Sequence, residues 1–259
     1  MITVYDLETF RNFFSGIFLD VHTEELKIFV IHDSRNDLQQ LIEFLRYNKG
    51  QIGFNNLAFD YPILHWIIEQ RKRLLGLDSD LCARQIYKKS QEVIDFENNF
   101  SQIRKPYIKQ LDLYKIWHFD NKAKSTSLKD VAIALKWHKI QDLPYEHTHH
   151  VLDKEIESII SYNINDVLIT YEFYKKSLDK IRVNIALEQE YKLPLLNYSD
   201  PKIGEQLFLK FISDQKGMSL WQLKQQRTFR DYIDLNECIV DYAHFKSEEF
   251  NKLLNTLKS

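Results

Sequence analysis

Ile2-Thr3-Val4-Tyr5-Asp6-Leu7-Glu8-Thr9-Phe10 opens the chain and decides how everything after it is arranged. Its β-branched and aromatic start predicts a strand. Side chains alternate along a strand, so Asp6 and Glu8 share one face and Leu7 takes the other. Two neighbouring carboxylates repel each other, and burying either without a partner is costly. A bound cation or a shared catalytic proton is what makes such a pair tolerable. Asp-x-Glu is a common pattern by itself, so the remaining ligands have to come from elsewhere in the chain.

Outward from this stretch, the sequence alternates between strand and helix signals. Phe13 to Leu19 and Leu26 to Ile31 follow closely enough to predict an antiparallel meander. Asn36 or Asp37 then caps a helix whose apolar positions are Leu38, Leu41, Ile42 and Leu45, with Gly50 at its end. Gln51 to Phe54 predicts a short strand, followed by a turn and a helix with Pro62 in its first turn. Residues 78–106 read as a helical excursion and loop, and Ile108 to Trp117 as another strand. Ser125 or Ser127 caps a helix carrying Leu128, Val131, Ala132 and Leu135. After a polar loop, Gln141 to His150, a long helix starts near Asp153. Three early strands followed by strand–helix alternation predict a mixed α/β sheet. The tail from about Leu193 is mainly helical.

Composition narrows the class. The chain has 259 residues, of which 44% are apolar, and no apolar run approaches the ~20 residues of a membrane span. Its start lacks a signal-peptide pattern. Cys82 and Cys238 stand far apart without metal-ligand spacing, which fits free thiols in a reducing cytoplasm. A net charge of −2 argues against coating nucleic acid by bulk electrostatics, though not against a local basic surface. Nine basic residues fall within 101–140: Arg104, Lys105, Lys109, Lys115, Lys122, Lys124, Lys129, Lys136 and Lys139. They form either a solvated face or a phosphate-contacting one.

Three further residues complete a chemical pattern. Asp60 sits where a strand gives way to a helix, the end of a parallel strand at which α/β sites gather. Alone it would serve as a helix cap or dipole partner. Tyr162 and Asp166 are four apart on a helical segment, so phenol and carboxylate share a face. Alone they would be a core-edge tyrosine and a solvated acid. His147, His149 and His150 lack cysteine partners and fit a polar loop better than a zinc site. Trp117 and Trp137 are expected in the core.

Asp-x-Glu on the first strand, Asn-x-x-x-Asp at a strand-to-helix turn and Tyr-x-x-x-Asp on a late helix together resemble the DEDD exonuclease superfamily. Tyr162 is similar to the tyrosine-bearing (DEDDy) branch; the histidine branch would place His where this chain has Ser161. The resemblance covers residues 1 to about 180. Ile52 to Leu64, IGFNNLAFDYPIL, resembles proofreading exonuclease domains of phage DNA polymerases.

The resemblance implies a ribonuclease H-like mixed five-stranded sheet, order 3-2-1-4-5, flanked by helices. It implies an exonuclease domain over 1–190 and a helical C-terminal extension over 191–259. Asp6, Glu8, Asp60 and Asp166 would hold two divalent ions, Mg²⁺ or Mn²⁺, and Tyr162 would orient the attacking water. Hard carboxylate oxygens suit these ions. Thr9, Phe10, Asn56 and Phe59 are expected to grip the terminal nucleotides. The implied activity is 3′–5′ removal of nucleotides from single-stranded DNA or a primer 3′ end. With no polymerase region after residue 259, the expected context is an excised polymerase domain or a stand-alone nuclease. A cytoplasmic location is expected (the host cytoplasm if phage-encoded), with no membrane partner. Competing expectations are an RNA-trimming exonuclease and a non-catalytic module that binds single strands or a polymerase.

Overall fold

In the computed structural model, which describes residues 1–95, 103, 105–119, 121, 125–226 and 231–258, the opening stretch forms strand β1 (Ile2–Phe10). It pairs antiparallel with β2 (Phe13–Asp20), which pairs antiparallel with β3 (Leu26–His32). On its other side, residues Ile2 to Val4 of β1 pair in parallel with β5 (Gly50–Gly53), and β5 pairs in parallel with β6 (Lys109–Asp112). A two-residue strand, β4 (Arg35–Asn36), joins the outer edge of β3. The open mixed sheet therefore has six strands in the order β4-β3-β2-β1-β5-β6, where five were expected. Arg35 makes the additional edge: its guanidinium bonds the Asp37 carboxylate at 2.6 Å and the Ile28 carbonyl at 3.2 Å.

Strand alternation separates two layers of core. Tyr5 and Leu7 of β1, with Phe14 and Phe18 of β2, pack against α1 (Leu38–Tyr47), α2 (Asp60–Leu74) and α3 (Ser79–Asp95). Val4, Ile17, Leu19 and Ile52 face the opposite way, against α4 (Leu113–Ile116), α5 (Leu128–Ala134) and α6 (Ile156–Tyr191). Ser127 caps α5 with a reciprocal capping box to Asp130, which fixes where that helix begins. A 3-10 turn, Asp153–Glu155, leads into α6.

Two expectations change. Helix α1 stops at Tyr47 with Asn48 as its C-cap, and Gly50 lies in β5. The strand expected from Ile108 to Trp117 is cut to Lys109–Asp112, because the Asp112 carboxylate accepts the Tyr114 N–H at 2.9 Å and turns the chain into α4.

The described chain forms two compact units, Met1–Leu207 and Phe208–Ser259. The first runs past the boundary expected at residue 190. Asn197 accounts for that: its side chain accepts the Asp112 N–H at 2.8 Å and donates to the Gln110 carbonyl at 2.9 Å, covering the edge of β6. Asn184 of α6 likewise donates to the carbonyls of Leu196 and Tyr198. Helix α7 (Asp200–Lys216) follows, then α8 (Leu220–Gln225), α9 (Leu235–Cys238) and α10 (Glu248–Lys258), the last three with no buried residue. Among the described residues no helix is long and apolar enough to cross a membrane. Both cysteines are free thiols.

Candidate metal centre

Strands β1, β5 and β6 run in one direction, and the chemistry collects at their C-terminal ends. Pairing between β1 and β5 stops at Val4 and Ile52, so the rest of β1 has lost its parallel neighbour. Asp60, in the first turn of α2, fills part of that gap: its Oδ1 accepts the Leu7 N–H at 3.2 Å. This bond holds α2 at the strand end and places Asp60 beside Asp6 and Glu8.

From the other side, α6 brings Tyr162 and Asp166. One carboxylate oxygen each from Asp6, Glu8 and Asp166 lies within 4.8 Å of the others, close enough to share a cation. Tyr162 lies one helical turn before Asp166, and each influences the other's titration. Asp60 is outside that mutually close trio but lines the same cleft, which has a volume of about 410 Å³. Among the described residues none of the four carboxylates is ion-paired to a lysine, arginine or histidine.

The electrostatics follow from that crowding. Burial raises the Asp6 carboxyl well above the usual range, and Asp60, Glu8 and Asp166 add to the effect. Glu8 is raised by burial, then by Asp166 and Asp60. Asp60 is pushed up to about 7 by burial, against the lowering effect of the Leu7 N–H. Asp166 rises to about 6 by burial, opposed by the Tyr162 hydroxyl. Burial, then the charges of Asp166 and Glu8, raise Tyr162 too, so it remains a neutral phenol at physiological pH. Clustered oxygen ligands whose charges are uncompensated fit a hard divalent cation such as Mg²⁺ or Mn²⁺.

Of the four residues expected to grip substrate, only Phe59 lines the cleft. Thr9 follows Glu8 and so faces the other side of the sheet, where its hydroxyl donates to Ser90 Oγ at 3.1 Å. Phe10 shares the face of Glu8 but is 0% exposed, packed with Phe13, Val151 and Ile159. Asn56 is also fully buried, donating to Gln110 Oε1 at 2.9 Å. Each of these three side chains is thus packed or hydrogen-bonded inside the fold.

Phe54, Asn55 and Tyr114 line the cleft with Phe59, and Ser125, Ser127 and Leu128 form another part of the lining. The three histidines diverge. His147 reaches the cleft, His149 pairs with Glu155 at 2.9 Å, and His150 contacts Asn12. The two tryptophans lie outside the core where they were expected: Trp117 is exposed and Trp137 half-buried, each tied to α6 by its indole N–H, Trp117 to Ser177 and Trp137 to Asn165. Of the basic residues in 101–140, Arg104, Lys122 and Lys124 lie outside the described residues.

Asp112 is the buried residue that sequence reasoning missed. Its carboxylate accepts the N–H groups of Asn55 and Tyr114, each at 2.9 Å, and of Leu57 at 3.2 Å. It thereby fixes the turn that delivers Phe59 and Asp60. Burial lifts it to about 6 despite those three bonds. An acid set between the apolar positions Leu111 and Leu113 was the available signal.

Comparison of the chain with protein-family models, curated proteins and solved structures finds no match.

Proposed function

We propose that this protein is a metal-dependent 3′–5′ exonuclease with a ribonuclease H-like fold, of the tyrosine-bearing DEDD type, that removes nucleotides from DNA 3′ ends. The observation that carries the reading is the convergence of Asp6, Glu8 and Asp166, with Tyr162 one turn from Asp166 on α6 and Asp60 in the same cleft. Asp6, Glu8 and Asp166 would hold one divalent cation, with Asp60 available to a second. When bound, two such ions lower the pKa of the attacking water and stabilise charge on the leaving 3′-oxygen.

The chain's own residues do the rest. Tyr162, kept neutral, is a poor base at physiological pH but a good hydrogen-bonding group, and it orients the water. Phe54, Phe59 and Tyr114 offer ring surface for stacking unpaired bases, which is sequence-tolerant. Ser125 and Ser127 add hydroxyls for phosphate or sugar oxygens.

The test is digestion of 5′-labelled single-stranded DNA and RNA with Mg²⁺, Mn²⁺ or EDTA. Metal-dependent shortening of DNA from its 3′ end is expected, abolished in Asp6→Ala/Glu8→Ala. Shortening of RNA alone would assign an RNA-trimming enzyme. Binding of DNA without cleavage by the folded, metal-supplied protein would assign a single-strand-binding module. Faster cleavage of mispaired than of matched primer ends is the result expected for proofreading.

A further inference from the structure

Beneath α6 the apolar core narrows behind the carboxylates into two buried clusters, bridged by the partly buried Ile28 and Ile160. At one end Val4 of β1 and Ile17 of β2 pack with Val167 of α6. At the other, Phe10 of β1 and Phe13 of β2 pack with Ile159 of α6. Between these clusters, the residues on that face are Asp6 and Glu8 on β1 and Ser15 on β2. On the helix, Ile159, Asn163 and Val167 lie four residues apart and so form one stripe. Asn163 therefore faces this polar stretch, opposite Glu8 and its direct cross-strand partner Ser15.

Both residues are 0% exposed, yet Asn163 Nδ2, Asn163 Oδ1 and Ser15 Oγ have no hydrogen-bond partner. Such groups are uncommon in folded proteins because each forfeits its bonds to water. Glu8 is only 7% exposed, and among the described residues no donor hydrogen-bonds to its carboxylate. The inventories are complementary: two N–H donors on Asn163, one O–H on Ser15, and free lone pairs on Glu8.

We propose that Asn163 and Ser15 are positioning residues for Glu8, donating hydrogen bonds that hold its carboxylate in the cation-binding rotamer, directly or through one trapped water. The inference rests on the reading of the cleft as a cation site. It treats the polar stretch as a support for the ligand rather than a packing fault, in keeping with the way outer groups orient metal ligands.

Asn163→Leu and Ser15→Ala in the whole chain separate the two roles. Leucine keeps asparagine's heavy-atom branching and removes both unbonded polar atoms, which offsets the cost of its bulkier methyl groups. In EDTA the Asn163→Leu protein should melt close to wild type. A Mn²⁺ titration followed by electron paramagnetic resonance should show binding weakened by roughly tenfold or more. Ser15→Ala should weaken Mn²⁺ binding by a smaller factor. In wild type, Mg²⁺ should slow the exchange of the Asn163 side-chain NH₂ protons measured by NMR. Unchanged Mn²⁺ affinity in both variants overturns the proposal while leaving the cation site standing. If wild type binds no Mn²⁺, the cation site itself falls, and this inference with it. Should Asn163→Leu fail to fold, Ser15→Ala and the NMR measurement decide.

Discussion

Tyr162 stands one turn from Asp166 on α6, and both its burial and its neighbours' charge keep the phenol protonated. An orienting hydroxyl makes a different prediction from a ligand. Tyr162→Phe should leave Mn²⁺ affinity within a few-fold of wild type while slowing single-turnover cleavage by roughly a hundredfold, the scale of a misplaced reacting group. Measuring both on one preparation checks it; an affinity loss as large as the rate loss would make Tyr162 part of the ion-holding machinery. The residues of this cluster were legible in the sequence because their spacing is set by local geometry: two along a strand for Asp6 and Glu8, four along a helix for Tyr162 and Asp166. The partners of Thr9, Phe10 and Asn56 were not legible, because closeness in sequence says nothing of what a side chain already holds. Thr9 bonds Ser90 from α3, 81 residues away. Only the tertiary fold reveals such a partner.

At the scale of elements, the turn between β5 and α2 is where the site is most exposed to disturbance. Asp112 holds its N–H groups, Asn55 adopts a left-handed φ of 59°, and Gly53 supplies the space. A Cβ at Gly53 would stand 2.5 Å from Asn56 Cβ, and Asn56 is fixed by Gln110. Gly53→Ala should therefore destabilise the protein by about 1–3 kcal/mol, the usual cost of overpacking, seen as a lower urea midpoint with an unchanged slope. Cleavage should fall further than that loss explains, since the same turn carries Phe59 and Asp60. A variant with both midpoint and activity of wild type would show that the turn yields without consequence. The sequence marked this turn through its amides and the apolar period of the helix beyond it. It did not mark the end of β6, because Leu111 and Leu113 continue the apolar alternation of a strand and only the Asp112 cap interrupts it. The two-residue β4 was equally hidden, being too short for any periodicity.

For the molecule as a whole, the acidic cluster sets how stability depends on pH and cation. Asp60 at about 7 and Asp166 at about 6 bind protons more tightly in the folded chain than the ~3.9 of an unfolded aspartate, and Asp6 and Glu8 shift the same way. Where the folded state holds more protons than the unfolded one, stability falls as pH rises. In EDTA the melting temperature should thus decline from about pH 4 through pH 7, and Asp112, also at about 6, adds to the decline. A divalent cation favours the ionised carboxylates, so its effect must run the other way with pH, because fewer protons have to be displaced. With Mn²⁺ at a hundred times its dissociation constant, stabilisation is about 2.7 kcal/mol, or roughly 5–10 °C for a chain of this size. That gain should be full at pH 8 and nearly absent at pH 5 for the same total Mn²⁺. Asp6→Asn/Glu8→Gln should remove most of the Mn²⁺ effect and make the decline seen in EDTA shallower, leaving the parts due to Asp60, Asp166 and Asp112, which burial raises on its own. A Mn²⁺ gain of equal size at both pH values would separate cation binding from these four carboxylates.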